Sequence, residues 1–364
     1  MKLFCIAGED SGDLHTAGLI RELRTLDPGL AVRGVGGDQM QAAGTQLIAH
    51  VRDINFMGFW EVIRHLGRIR RLFAQVEQAI LEWQPEAVLL VDYPGFNLRV
   101  LPFLHRHHIP AYYYISPQVW AWKSGRAEIL RRYVRRLWVI LPFEQAFYAE
   151  RGMNVSSQGH PLLDIIPAEA KSPAPLIALL PGSRKQEIRL MLPVMLEAAR
   201  RFPDWRCVVA GAPSQPASFY QQLVREWPAN VSLRMNETYA LLRESRYAWV
   251  ASGTATLEAA LWGTPQVVVY KGSPLSYAIG KRLVKVPFIS LVNLILGRAA
   301  VEELIQDQCN AIRLTEAMQA LMAPGREAEV QAAYAELRQR LGGPGASRRV
   351  AAELFQHLTQ APAI

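Results

Sequence analysis

Short apolar runs bounded by glycine, proline or acidic residues alternate along this chain with longer segments in which apolar residues recur at every third or fourth position. The run at 3–7 stops at Gly8-Glu9-Asp10-Ser11-Gly12-Asp13, and Leu14, Ala17, Leu19, Ile20 and Leu23 then repeat at helical spacing until Asp27-Pro28-Gly29. This reads as strand, tight turn and helix. Further strands are predicted at 31–35, 87–91, 111–115 and 137–141. Residues 167–175 hold Pro167, Pro173 and Pro175 with few bulky side chains, which suits a linker. The pattern then restarts, with predicted strands at 177–180, 207–210, 231–233, 248–251 and 266–270. The expected fold is α/β: two doubly wound, Rossmann-like domains at 1–166 and 176–343, each placing ligands beyond the carboxyl ends of its strands. The chain reads as helical from residue 315 apart from Gly342-Gly343-Pro344-Gly345, and the helix expected at 344–364 is a candidate to cross back to the first domain.

Candidate chemistry clusters where strands end. Residues 177–180 run into Pro181-Gly182-Ser183-Arg184, and Ile188, Met191, Leu192, Met195 and Ala199 follow at helical spacing. Ser183 and Gln186 fit a capping box, so backbone N–H groups and the Arg184 guanidinium would face the turn. Such a turn suits a phosphate, and equally a capped, solvated helix start. A second turn, Ser252-Gly253-Thr254, offers hydroxyls and close backbone approach. Glu258 lies one turn into its helix, placed either to accept from a ribose diol or to complement the helix dipole. Asp92 ends the run at 87–91 in Asp92-Tyr93-Pro94-Gly95-Phe96-Asn97, positioned for a reactive carboxylate or for a helix cap. Trp120 and Trp122 with Lys123 and Arg126 suit a sugar phosphate or simple packing beneath their loop. Gly34-Val35-Gly36-Gly37 is not a dinucleotide fingerprint, because the third glycine position falls on Gln39.

Charge changes the weighing of one segment. The chain carries a formal net charge of +8, which points to an anionic partner. Residues 56–73 interleave Phe56, Met57, Phe59, Trp60 and Ile63 with Arg64, Arg68 and Arg71, a pattern shared by helices that lie on anionic membranes and by core helices with a solvated basic face. Half the residues are hydrophobic and a fifth charged, which excludes a largely disordered chain. Cys5, Cys207 and Cys309 are too scattered for a metal site or a disulfide framework. No stretch reaches the roughly 18 apolar residues of a membrane span, and the expected location is cytoplasmic.

Taken together, Gly8-Glu9-Asp10-Ser11-Gly12-Asp13-Leu14-His15, Asp92-Tyr93-Pro94-Gly95-Phe96-Asn97, Ser116-Pro117-Gln118-Val119-Trp120-Ala121-Trp122, Pro142-Phe143-Glu144, Leu180-Pro181-Gly182-Ser183-Arg184, Ser252-Gly253-Thr254-Ala255-Thr256-Leu257-Glu258 and Asn293-Leu294-Ile295-Leu296-Gly297-Arg298 resemble the lipid-A-disaccharide synthase family over most of the chain. The family's Asp-x-Pro-Asp-Phe-Asn carries Gly95 here, and Val292 stands where a proline commonly precedes the asparagine.

The resemblance implies a GT-B glycosyltransferase whose domains face across a cleft. Its donor is UDP-2,3-diacylglucosamine, its acceptor 2,3-diacylglucosamine 1-phosphate, and its products a β-1,6 disaccharide and UDP. It implies Asp92 as catalytic base, and a donor site of Gly182, Ser183, Arg184, Ser252, Gly253, Thr254, Glu258, Asn293 and Arg298. Glu9, Ser11 and Gly12 line the facing loop. No Asp-x-Asp motif is present, so an inverting reaction without metal or cofactor is expected, with Arg184 and helix N-termini meeting the leaving charge. With lipid substrates, the membrane or acyl-chain role of 56–73 gains weight, and the inner leaflet of the cytoplasmic membrane becomes the expected anionic partner. Monomer and homodimer both remain compatible. A UDP-N-acetylglucosamine 2-epimerase is the alternative of like architecture, and a nucleic-acid binder is disfavoured because its motifs are missing.

Overall fold

The computed structural model describes residues 1–54, 66–121, 125–168, 173–224, 226–273, 277 and 286–360. The chain divides into two compact units, one formed by Met1–Asp164 with Gly343–Ile364, the other by Ile165–Gly342.

The first unit is built on β1 (Lys2–Ala7), β2 (Ala31–Gly36), β3 (Thr45–His50), β4 (Ala87–Val91), β5 (Ala111–Tyr114), β6 (Arg136–Val139) and β7 (Ser156–Ser157), in the order β3-β2-β1-β4-β5-β6-β7. Every pairing is parallel. The unbroken apolar runs of β1 and β4 follow from this topology. Phe4, Ile6, Val88 and Leu90 enter the core on one face of the sheet, while Leu3, Cys5, Ala7, Leu89 and Val91 enter the core on the other. The strand order reverses between β1 and β4, and the crevice at such a switch point is where doubly wound sheets bind ligands.

The helix Leu66–Trp83 packs Leu72, Val76 and Ile80 into the first of these cores, while Arg68 and Arg71 are exposed. The described end of the basic, apolar segment is therefore a core helix with a solvated arginine face. Phe56, Met57, Phe59, Trp60, Ile63 and Arg64 lie outside the described residues.

The C-terminal helix Ala346–Gln360 places Val350, Ala351 and Leu354 in the second core, alongside Ala17 and Ile20 of the helix Asp10–Leu26. Its first turn is held by Asp164, which accepts from the backbone N–H groups of Gly345, Ala346 and Ser347 at 2.5, 3.1 and 2.8 Å. Farther along, Glu353 accepts from Arg136 Nε (2.6 Å), Trp138 Nε1 (2.8 Å), Ser156 Oγ (2.8 Å) and Gln158 Nε2 (3.0 Å).

Near Asp164, the buried rings of His15 and His160 meet edge to face with centroids 6.2 Å apart. Burial pushes His15 down to about 4, against a smaller opposing pull from Asp164, and burial with His15 as neighbour pushes His160 down to about 3. Unfolded histidines take up protons from about pH 6.5 downward, so over that interval the unfolded chain binds more protons and stability falls as pH falls. The urea midpoint of the wild type should drop between about pH 7 and 5, and His15→Gln should flatten that slope.

The second unit repeats the plan with β8 (Ala174–Leu180), β9 (Arg206–Gly211), β10 (Val231–Met235), β11 (Ser245–Ala251), β12 (Gln266–Tyr270) and β13 (Glu302–Ile305), ordered β10-β9-β8-β11-β12-β13 and parallel throughout. Strand β8 begins inside the stretch expected to be linker. The pattern of the sequence missed β3, β7 and β13, all edge strands. An edge strand is half solvated, and Thr45-Gln46-Leu47-Ile48-Ala49-His50 and Glu302-Glu303-Leu304-Ile305 mix polar with apolar residues accordingly.

Candidate active site

In the first unit, β1 and β4 deliver their turns side by side. Asp92 and Tyr93 both have left-handed backbones, with φ of 43° and 48°. Two consecutive non-glycine residues there cost of order 1–3 kcal/mol each, and such strain persists only where the surroundings impose it. Here they do. The Asp92 carbonyl accepts from Asn97 Nδ2 at 2.8 Å and from the Tyr113 hydroxyl, and the Asp92 N–H donates to Tyr114 O at 3.2 Å. Asn97 is fully buried in the helix that follows, next to the core residue Phe96, so the turn is pinned from beneath. The following helix, Pro94–Arg106, has Tyr93, not Asp92, at its N-cap position.

Glycine at position 8 is a packing requirement. A Cβ there would sit 2.3 Å from the Tyr93 ring. Glu9 precedes the helix Asp10–Leu26 without capping it, and its carboxylate acts on the Tyr93 phenol, which burial and that charge push up to about 12. Ser11 is half-exposed in the first turn. Gly12 is buried against Ala7 and Val91, where it serves backbone packing. Asp13, adjacent in sequence, accepts from the backbone N–H groups of Gly37, Gln39 and Met40, so the glycine turn after β2 is filled by the protein's own carboxylate.

The next strand carries strain at the same level. Ile115, a β-branched residue, has φ of 63°, immediately before Ser116-Pro117-Gln118-Val119-Trp120-Ala121. Trp122 and Lys123 fall outside the described residues, whereas Arg126 opens the helix Arg126–Tyr133 and its charge reaches the Tyr113 phenol.

In the second unit, the adjacent strands β8 and β11 deliver the other turns. Gly182 has φ of 102°, and a Cβ would lie 2.6 Å from Glu187 Oε2. The expected capping box is absent. The helix spans Lys185–Ala199 with Arg184 in the N-cap position, no side chain caps it, and Ser183 is exposed. Arg184 Nη1 instead bonds Glu187 Oε1 at 2.9 Å, an i,i+3 pair that aims the guanidinium along the turn. Ser252 Oγ donates to Ile289 O at 2.8 Å, Gly253 precedes the helix Thr254–Leu261, and Thr254 is its first residue. Glu258 accepts from the Tyr239 hydroxyl at 3.2 Å, and burial outweighs that bond to push its carboxyl up to about 7.

Two expected donor-site residues bond other groups of the protein. Asn293 is fully buried, and every valence of its amide is used: Nδ2 donates to Val301 O and Glu303 Oε1, and Oδ1 accepts from the N–H groups of Ala300 and Val301. It positions a loop and has no group left for a ligand. Arg298 is exposed and bonds Glu336 on the helix Arg326–Leu341 at 2.6 Å. Glu303, which the sequence did not single out, accepts from the N–H groups of Ile289 and Ser290, both at 2.9 Å, and so fixes the segment on which Ser252 leans. Its only signal in the sequence is an acid in a short apolar stretch.

Two doubly wound parallel sheets, with polar turns at the carboxyl ends of their central strands, define the class: a GT-B fold. Solved structures with this fold include a UDP-GlcNAc 2-epimerase from Neisseria meningitidis bound to UDP-GlcNAc, which is 13% identical with a TM-score of 0.68 over 98% of this chain and 100% of that one. They also include a calicheamicin glycosyltransferase, 18% identical with a TM-score of 0.63 over 100% and 99%. The family model for lipid-A-disaccharide synthetase matches residues 3–355. A lipid-A-disaccharide synthase from Geobacter sulfurreducens is 37% identical over 98% of this chain and 97% of its own length, and one from Anaeromyxobacter dehalogenans is 40% identical over 97% of each. The chain belongs to the lipid-A-disaccharide synthase family.

Proposed function

We propose that this protein transfers 2,3-diacylglucosamine from UDP-2,3-diacylglucosamine to 2,3-diacylglucosamine 1-phosphate, forming the β-1,6 disaccharide 1-phosphate and UDP. The observation that carries the mechanism is the strained, buttressed backbone at Asp92, on a switch point of the sheet. The Asp92 carboxylate takes the proton of the acceptor hydroxyl as its oxygen bonds to the anomeric carbon. The bond from that carbon to the diphosphate breaks on the opposite face, which inverts the centre. Arg184 and the backbone N–H groups of the turns at 181–184 and 252–254 meet the charge gathering on UDP. Glu258, when ionised, accepts from the ribose hydroxyls, and Glu9 and Ser11 border the acceptor beside Asp92.

With lipid substrates, the proposed location is the inner leaflet of the cytoplasmic membrane, as a peripheral enzyme. No helix among the described residues is long and apolar enough to cross a membrane, and the exposed Arg68 and Arg71 suit an anionic surface.

Incubation with both lipids tests the reading, which expects UDP and disaccharide in equal amounts. Release of UDP without disaccharide, or conversion of UDP-N-acetylglucosamine to its 2-epimer in place of transfer, overturns it. Arg184→Ala should lower kcat on the order of 100-fold and weaken UDP binding measured by calorimetry, because a charged donor to the leaving group is lost.

A further inference from the structure

The helix Glu144–Ala149 carries two buried polar side chains one turn apart, Glu144 and Tyr148, and both face the loop that leaves β5. One oxygen of Glu144, Oε2, accepts from the N–H groups of Ile140 at 3.1 Å and Leu141 at 2.9 Å, which belong to the turn after β6. The other, Oε1, accepts from the indole N–H of Trp120 at 3.1 Å. Tyr148 shares a 2.5 Å hydrogen bond with Ser116 Oγ, four residues earlier in the same loop. The Trp120 ring also stands edge-on against Phe143, with centroids 4.8 Å apart. A carboxylate only 1% exposed therefore ties the end of β5 to the end of β6. An apolar side chain would fill this space without the cost of burying a charge, so the directional bonds are what the position gains.

The loop held this way begins where Asp92 stands. Val91 pairs with Tyr114, the Asp92 N–H donates to Tyr114 O, and Ser116 follows two residues later. Tyr113, whose hydroxyl bonds the Asp92 carbonyl, lies three residues before Ser116. The stretch 113–120 is thus bonded through Tyr113 to the Asp92 backbone and through Ser116 and Trp120 to Tyr148 and Glu144.

We propose that Glu144 is a positioning residue for the transfer reaction: through the Trp120 indole it holds the 116–121 loop in place at the carboxyl end of β5, beside Asp92. The role rests on the synthase reading. Glu144 touches no substrate and acts by fixing the wall next to the base.

The two oxygens of Glu144 have separate partners, and this makes a selective test available. In Glu144→Gln the amide oxygen keeps the Ile140 and Leu141 N–H groups, and the amide NH₂ then confronts the Trp120 N–H, donor against donor. Trp120→Phe removes the same bond from the other side. Each variant should lower kcat about 10- to 100-fold, the scale of a wall displaced by about an ångström, with KM for the UDP-sugar unchanged. The double variant should be no slower than the worse single one, because both remove one interaction. The Trp120 indole N–H resonance, assigned by its loss in Trp120→Phe, should shift and exchange faster in Glu144→Gln, and this readout does not depend on turnover.

Unchanged kcat in the folded variants, losses that multiply in the double variant, or an unmoved indole resonance would overturn the role. If Glu144→Gln does not fold, Trp120→Phe decides alone: a folded protein with lowered kcat supports the role, and one with unchanged kcat overturns it. A wild type that forms no disaccharide overturns the synthase reading and this role together. A wild type that turns over beside unaffected variants overturns only the role.

Discussion

Asp92→Asn should abolish disaccharide formation, lowering kcat on the order of 1,000-fold or more, while UDP binds as it does to the wild type. The substitution is unusually clean. The backbone at 92 is left-handed, and asparagine is among the few residues that adopt that conformation readily. The bonds that pin the turn, from Asn97 and Tyr113, end on the Asp92 carbonyl, so they survive the change of side chain. What disappears is the capacity to take a proton. Calorimetry with UDP and circular dichroism check the two controls. Loss of UDP affinity or of the fold would make Asp92 structural and remove it from the mechanism.

The second large effect concerns stability. Glu353 is only 17% exposed, and its side chain is surrounded by Arg136, Trp138, Ser156 and Gln158. Glu353→Ala leaves these donors without their shared acceptor and Arg136 without its counter-ion, so it should cost on the order of 3 kcal/mol in the first unit. Burial pushes this carboxyl up, but hydrogen bonds from Trp138, Ser156 and Gln158 and the charge of Arg136 outweigh burial and hold it below its ordinary value. A depressed carboxyl stabilises fully above its unfolded value near 4.5, and the contribution is lost as pH falls through the folded value. Urea unfolding of wild type and variant at neutral pH should therefore differ most, and the two curves should converge in acid. A constant difference would remove the carboxylate from the explanation.

Much of the architecture is legible in the sequence because strands buried on both faces must be apolar without interruption, as in 87–91 and 177–180. The same rule weakens the signal at edges, which explains the silence of β3, β7 and β13. Turn chemistry is legible in kind and misleading in detail. Pro181-Gly182-Ser183 announces a break, but whether Ser183 caps depends on where the helix starts, and it starts at Lys185. Asn293 is the sharper case. A polar residue in an apolar segment signals a function, and the sequence cannot say whether its partner is a ligand or the protein. Here the Glu303 carboxylate and the backbone of Ala300 and Val301 take every valence. Glu144 stands within a recognisable motif, yet its hold on Trp120 depends on strands β5 and β6 lying side by side, which no local pattern records.

Because Asp164 and Glu353 secure a helix that follows Gly342, the second unit is spliced into the first. On the ribosome the order of completion is therefore inverted. The unit begun first cannot close its second core until Val350, Ala351 and Leu354 emerge, after the inserted unit has been fully synthesised. During that interval the apolar face presented by Ala17 and Ile20 lacks its cover, so a nascent chain stalled before residue 343 is the form most in need of a chaperone.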